Sequence, residues 1–140
     1  MEIYLQHQSE IKDYVKEVID FAEGVNIWLF VGEMGTGKTS LIKEICLFLD
    51  VKDEVSSPTY SIVNEYFSDE VGTIYHFDCY RLEEEREIID IGLEDYFYSG
   101  YPCFIEWPEK VEQFIPESYL LLKIDKLEDG RRKLNISKHV

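Results

Sequence analysis

Basic residues are scarce in this chain: 14 Lys and Arg stand against 29 Asp and Glu, a formal net charge of −15 over 140 residues. Proteins that grip nucleic acid neutralise its phosphates with a Lys/Arg face, and that electrostatic contribution dominates their non-specific affinity. A chain this acidic repels tRNA or DNA on average, so a role on nucleic acid is expected to run through a partner protein. Long apolar runs are missing too. No stretch approaches the roughly 20 residues that cross a bilayer as a helix. The opening MEIYLQHQSEIKD has neither the basic nor the apolar region of a signal peptide. A soluble, cytoplasmic protein without a membrane partner is expected. Cysteine is limited to Cys46, Cys79 and Cys103, an odd, widely spaced set with no C-x-x-C pair. That argues against a zinc site. Each lies in an apolar run, as small core residues of a reducing compartment do. Internal repeats, low-complexity stretches and linkers are also absent.

What remains is an ordinary globular mixture, 45% hydrophobic and 31% charged. One domain over residues 1–140 is expected, burying roughly two-thirds of its unfolded surface. Glu2 to Gln6 reads as a short first strand. Ser9 reads as the N-cap of an amphipathic helix carrying Ile11, Tyr14, Val15, Val18, Ile19 and Ala22, which ends near Gly24. Asn26 to Val31 (NIWLFV) is nearly continuous in apolar residues, the pattern of a strand covered on both faces. A loop over Gly32 to Gly37 and a helix over Lys38 to Leu49 follow, then a loop from Val51 to Pro58. Ser61 to Phe67 and Thr73 to Phe77 read as strands joined by a turn near Gly72. Glu83 to Tyr98 reads as two helical pieces broken near Gly92. Cys103 to Trp107 is a third apolar strand, stopped by Pro108, with a short helical turn over Glu109 to Phe114. Tyr119 to Leu127 and Arg131 to Ser137, flanking Glu128-Asp129-Gly130, form a C-terminal hairpin. Strands alternating with helices predict an α/β, three-layer domain of the P-loop NTPase type, its sheet mixed or mostly parallel at the nucleotide end.

The phosphate chemistry is carried by GEMGTGKT, residues 32–39, which matches G-x-x-x-x-G-K-[ST] between a strand and a helix. Glycines let successive backbone N–H groups converge on phosphate oxygens, and the helix N-terminus adds its positive dipole end. Lys38 then reaches the β- and γ-phosphates and the Thr39 hydroxyl ligates Mg²⁺. A random chain of this length would carry the motif roughly once in two hundred cases. ATP is favoured over GTP because no [NT]-K-x-D sequence is present to read guanine.

Such a site also needs a carboxylate at the end of a neighbouring strand. Asp78 (TIYHFDCYRL) and Glu106 (CFIEWPEK) both qualify, set against the plainer reading of solvated strand-end acids. Thr59, in SSPTYS, is either a γ-phosphate contact or part of an ordinary turn. Trp107 is either core or a cover beside Glu106. His76 reads as a packed or hydrogen-bonded histidine, facing away from Tyr75 and Phe77. Glu83 to Glu87 reads as a solvated helix face.

Four motifs stand in order: GEMGTGKT, SPTYSIVNEY, HFDCYRL and IEWPEK. Together they resemble the TsaE (YjeE) family, small bacterial ATPases needed for threonylcarbamoyladenosine synthesis on tRNA. The resemblance runs from about Ile3 to the C-terminal hairpin. It implies a compact P-loop fold with a mixed sheet, and phosphate contacts from Glu33, Met34, Gly35, Thr36, Gly37, Lys38, Thr39 and Ser40. It further implies Glu106 as the second Mg²⁺ residue, Asp78 as the aspartate linked to hydrolysis, Thr59 as a switch-like threonine and Trp107 as important to activity. Family members hydrolyse ATP weakly alone and act with TsaD and TsaB, which here would carry the tRNA. Two departures stand out. The stretch HQSEIKDY lacks the threonine that approaches the nucleotide in the family, and Cys79 replaces an aliphatic residue. The resemblance leaves open whether Arg131 or Arg132 reaches the nucleotide. Exposed positions from Asp78 to Ile89 are the expected partner surface. The competing readings are a small-molecule kinase, weakened by only four arginines (Arg81, Arg86, Arg131, Arg132) and no lid insertion, and an ATP-sensing module without turnover.

Overall fold

The computed structural model describes residues 1–58 and 61–140, so Thr59 lies outside the described residues. A seven-stranded mixed sheet runs through it in the order β1-β7-β6-β2-β5-β4-β3. The strands are β1 (Glu2–Leu5), β2 (Ile27–Val31), β3 (Val63–Ser68), β4 (Gly72–Asp78), β5 (Cys103–Glu106), β6 (Tyr119–Lys126) and β7 (Arg132–His139). The four central strands β6, β2, β5 and β4 are mutually parallel. The pairs β1–β7, β6–β7 and β3–β4 are antiparallel and close the two flanks. The helices are α1 (Val15–Phe21), α2 (Lys38–Phe48), α3 (Glu85–Ile91) and α4 (Leu93–Phe97), with 3₁₀ turns over Gln8–Asp13 and Pro108–Phe114.

Strand periodicity explains the layers, because successive side chains of a strand face opposite ways. Trp28 and Phe30 of β2 join Phe104 of β5 and Leu120 and Leu122 of β6 on one face, where α1 and α2 lay Val15, Val18, Leu41, Ile42 and Ile45. Ile27 and Leu29 point the other way, with Phe77, Cys103 and Ile105, and are covered by Ile88, Leu93, Phe97 and Val111. The continuous apolar run of β2 is thus the signature of a strand buried on both sides. All three cysteines are buried free thiols, and burial pushes each up to about 12, so they are inert packing groups.

The structure adjusts several boundaries. Ser9 does not cap the first helix. A 3₁₀ turn begins at Gln8, and the Glu10 carboxylate accepts the His7 N–H at 3.2 Å, so the cap comes from three residues downstream. The α-helix proper starts only at Val15. At Gly92 (φ 72°) the left-handed conformation divides α3 from α4, as the sequence predicts. β5 stops at Glu106, one residue early, because Trp107 turns out of the strand with φ 57° and ψ 52°. β7 extends two residues beyond the expected end, to His139.

Candidate functional site

β2 ends at Val31 and α2 begins at Lys38, and the loop between them is built from backbone that only glycine adopts freely. Gly35 (φ 76°) and Gly37 (φ 106°) are both left-handed, and Gly37 is the N-cap of α2. The loop is also braced from within. The Thr36 hydroxyl donates to Glu33 O at 2.8 Å, and Arg132 Nε on β7 donates to Thr36 O at 2.9 Å. Arg132 therefore supports the loop backbone, while Arg131 pairs with Asp129 at 2.7 Å in the hairpin turn. At Gly32 an added Cβ would lie 2.7 Å from Thr36 Oγ1 and 2.8 Å from Ile124 O. Gly32→Ala is accordingly expected to destabilise the protein by about 1–3 kcal/mol through overpacking, read as a lower midpoint of urea unfolding.

A cleft of about 500 Å³ opens above this loop, lined among others by Met34, Gly35, Gly37, Lys38, Thr39, Ser40, Ser57, Asp78, Glu106 and Trp107. Lys38 is buried and donates to Gly32 O and, at 3.4 Å, to Glu33 O. Its ammonium also sits 4.0 Å from the centre of the Trp107 ring, a cation–π contact. Burial holds the Lys38 pKa below its usual 10.5, while the charges of Glu106, Asp78 and Glu109 oppose that shift. The left-handed turn at Trp107 costs about 1–2 kcal/mol and brings the indole to Lys38, with the Tyr80 ring packed against it at 4.9 Å between ring centres.

The Thr39 hydroxyl donates to both oxygens of Glu106, at 3.0 and 3.1 Å, and meets Ser57 Oγ at 2.8 Å. Asp78 and Glu106 are direct register partners on parallel β4 and β5, so both carboxylates emerge at the same end of the sheet. Burial, reinforced by the Glu106 charge, raises the Asp78 pKa above 3.8, although its Oδ1 accepts the Tyr80 N–H at 3.1 Å. The Thr39 hydroxyl and the Glu106 carboxylate beside this glycine loop are hard oxygen donors. That set suits Mg²⁺, which is held by one or two protein oxygens plus substrate phosphates rather than by a full protein cage.

The structure thus brings Lys38, Thr39, Ser40, Asp78, Glu106 and Trp107 to one cleft, with Met34, Gly35 and Gly37 on its wall. Glu33 and Thr36 hold the loop together from within. Sequence reasoning missed Gln8, whose amide would lie 2.9 Å from a Cβ at Gly37, as well as Ser57 and the links from His76 and Tyr66 to Glu106. Gln8 falls in the stretch that departs from the family pattern, and no motif marks it.

This arrangement has close counterparts. Residues 5–134 match the family model for "Threonylcarbamoyl adenosine biosynthesis protein TsaE". The chain belongs to the TsaE family, the family of tRNA threonylcarbamoyladenosine biosynthesis. TsaE of Bacillus subtilis (strain 168) is 34% identical over 129 residues, covering 92% of this chain and 80% of that protein. The Haemophilus influenzae TsaE is 40% identical over 100 residues, covering 71% of this chain and 63% of its own length. The crystal structure of Bacillus subtilis YdiB superposes with a TM-score of 0.77 at 26% identity, covering 100% of this chain and 85% of the other. The mixed sheet flanked by helices is thus the P-loop NTPase-like fold of TsaE proteins. Among the described residues, no helix is long and apolar enough to cross a membrane.

Proposed function

We propose that this TsaE protein binds and hydrolyses Mg²⁺·ATP in the cleft over residues 32–40, and that it does so for a TsaD–TsaB-like transferase complex that carries the tRNA. One observation carries the reading: Thr39 and Glu106 are in hydrogen-bond contact at the mouth of a glycine loop, beside a buried lysine. Loop N–H groups and the α2 N-terminus would cradle the phosphates, and Lys38 would exchange its Gly32 and Glu33 carbonyls for β- and γ-phosphate oxygens. Thr39 and Glu106 would hold Mg²⁺. When bound, that ion neutralises charge on the transferring phosphoryl group. Asp78 would orient the attacking water, and its raised proton affinity suits it to accept the water's proton. Thr59 would act as the switch-like threonine, and Trp107 would close over Lys38.

The acidic balance, −15 overall, supports leaving tRNA to the partners. Tyr80 and Ile89 are exposed, and Glu83 to Glu87 form a solvated face between them, which favours this stretch as the partner-facing surface. The decisive measurement is ATP turnover by the purified protein, alone and with its cognate TsaD–TsaB pair. Slow hydrolysis alone and faster hydrolysis with the pair is expected. A pair that neither binds the protein nor changes its turnover overturns the partnership.

A further inference from the structure

His76 is a fully buried, hydrogen-bonding side chain for which neither the loop chemistry nor the packing accounts. It lies on β4, facing α2, with no exposed surface. Burying an imidazole is costly unless its nitrogens find partners, and a core histidine most simply finds backbone carbonyls. This one does not. Its Nε2 lies 2.7 Å from Glu106 Oε2 and its Nδ1 lies 2.9 Å from the Tyr66 hydroxyl. Sheet register explains the meeting. Asn64 is opposite His76 across β3–β4, and Phe104 is its partner across β4–β5. Tyr66 and Glu106 each sit two residues further on, so all three side chains project from the same face as diagonal neighbours.

The Glu106 carboxylate only accepts, so Nε2–H donates to it. The Tyr66 hydroxyl faces two partners, His76 Nδ1 at 2.9 Å and Ser56 O at 3.0 Å. The Tyr66 oxygen then accepts the Ser56 N–H at 3.3 Å, and Ser56 O receives the Asn64 amide at 3.0 Å. Ser57, the next residue, returns to Thr39 at 2.8 Å. The bonds form a closed circuit: Thr39, Glu106, His76, Tyr66, the Ser56–Ser57 segment, and Thr39 again.

We propose that His76 and Tyr66 are positioning residues that fix the Glu106 carboxylate toward Thr39 and tie its orientation to the Ser56–Ser57 segment. This rests on Thr39 and Glu106 being the Mg²⁺ residues. The terminal torsion of a glutamate is broad. With His76 engaging Oε2, the carboxylate is held in one setting and Oε1 stays the more available oxygen. Hydrogen-bond partners of metal-binding side chains commonly govern metal affinity in this way.

The test follows a fluorescent ATP analogue binding in EDTA and through a Mg²⁺ titration, alongside thermal unfolding without metal. His76→Phe keeps an aromatic ring, somewhat larger than imidazole, and loses both nitrogens. It is expected to raise the Mg²⁺ concentration for half-saturation about tenfold or more, with affinity in EDTA unchanged. Tyr66→Phe should shift it the same way by less, and His76→Gln, which keeps an N–H donor for Glu106, should recover most of the loss. A lower unfolding temperature with unchanged Mg²⁺ half-saturation overturns the proposal, as does an equal loss in EDTA and in Mg²⁺. If His76→Phe does not fold, Tyr66→Phe decides, and an unaltered Mg²⁺ response there is fatal. A parent protein whose analogue binding ignores Mg²⁺ removes the metal site and this circuit together, whereas a Mg²⁺-responsive parent whose variants keep the parental half-saturation removes only the circuit.

Discussion

Lys38→Ala is expected to weaken ATP binding by about a hundredfold or more, because truncating one member of a buried, hydrogen-bonded charge pair costs about 2–5 kcal/mol. The lysine is already desolvated in the free protein, with 6% of its surface exposed and its ammonium spent on two loop carbonyls and an indole face. Little further desolvation is therefore required when phosphates replace those partners, and most of the charge–charge attraction appears as affinity. The alanine variant loses that attraction and leaves Gly32 O and Glu33 O without the ammonium. Isothermal titration with ATP, read beside far-ultraviolet circular dichroism to verify folding, provides the check. A folded variant with parental affinity would remove the loop as the nucleotide site.

Glu106→Gln is expected to abolish the difference between ATP affinity measured in Mg²⁺ and in EDTA. The change preserves shape but removes the negative charge a divalent ion needs. A loss of about a hundredfold in apparent Mg²⁺ affinity is expected, the upper end of what even indirect partners of a metal site cause. The amide also confronts a donor problem. Thr39 and His76 both direct protons at Glu106. A glutamine has one oxygen to offer them; with that oxygen on His76, its N–H₂ group faces Thr39, whose hydroxyl must turn toward Ser57 to accept it. Exchanging bonds to a carboxylate for neutral ones costs about 1–2 kcal/mol, and a reduced unfolding temperature should accompany the metal defect. Titrating Mg²⁺ at fixed ATP separates the two effects. Equal Mg²⁺ responses in variant and parent would exclude Glu106 as a ligand.

The parts of the molecule legible in the sequence are those governed by neighbours along the chain. NIWLFV announces a doubly covered strand because both of its faces are apolar, and Gly92 announces a break because it takes a positive φ. The glycine loop is legible for the same reason. Contacts set by sheet register are not. Nothing local tells that Tyr66, His76 and Glu106 align diagonally across three strands, or that Ser57 reaches Thr39 from a segment without regular structure. The first helix misled for a subtler reason. Ser9 has the chemistry of a cap, but Glu10 satisfies the donors at Gln6 and His7, and the chain spends six residues in a 3₁₀ turn before α1.

The order of the strands bears on how the molecule comes into being. β2, which leads into the phosphate loop, is flanked by β5 and β6, and β1 reaches the sheet only through β7. During synthesis β2 emerges long before either neighbour. It must wait for residues 103–106 on one side and 119–126 on the other before its hydrogen bonds are complete. The loop's outer brace, Arg132 on Thr36 O, is 96 residues away in sequence. Closing contacts that distant before they are rewarded slows folding. A nascent chain therefore carries its most recognisable motif well before it can hold that motif in shape, and the loop gains its outer brace last, with the C-terminal hairpin.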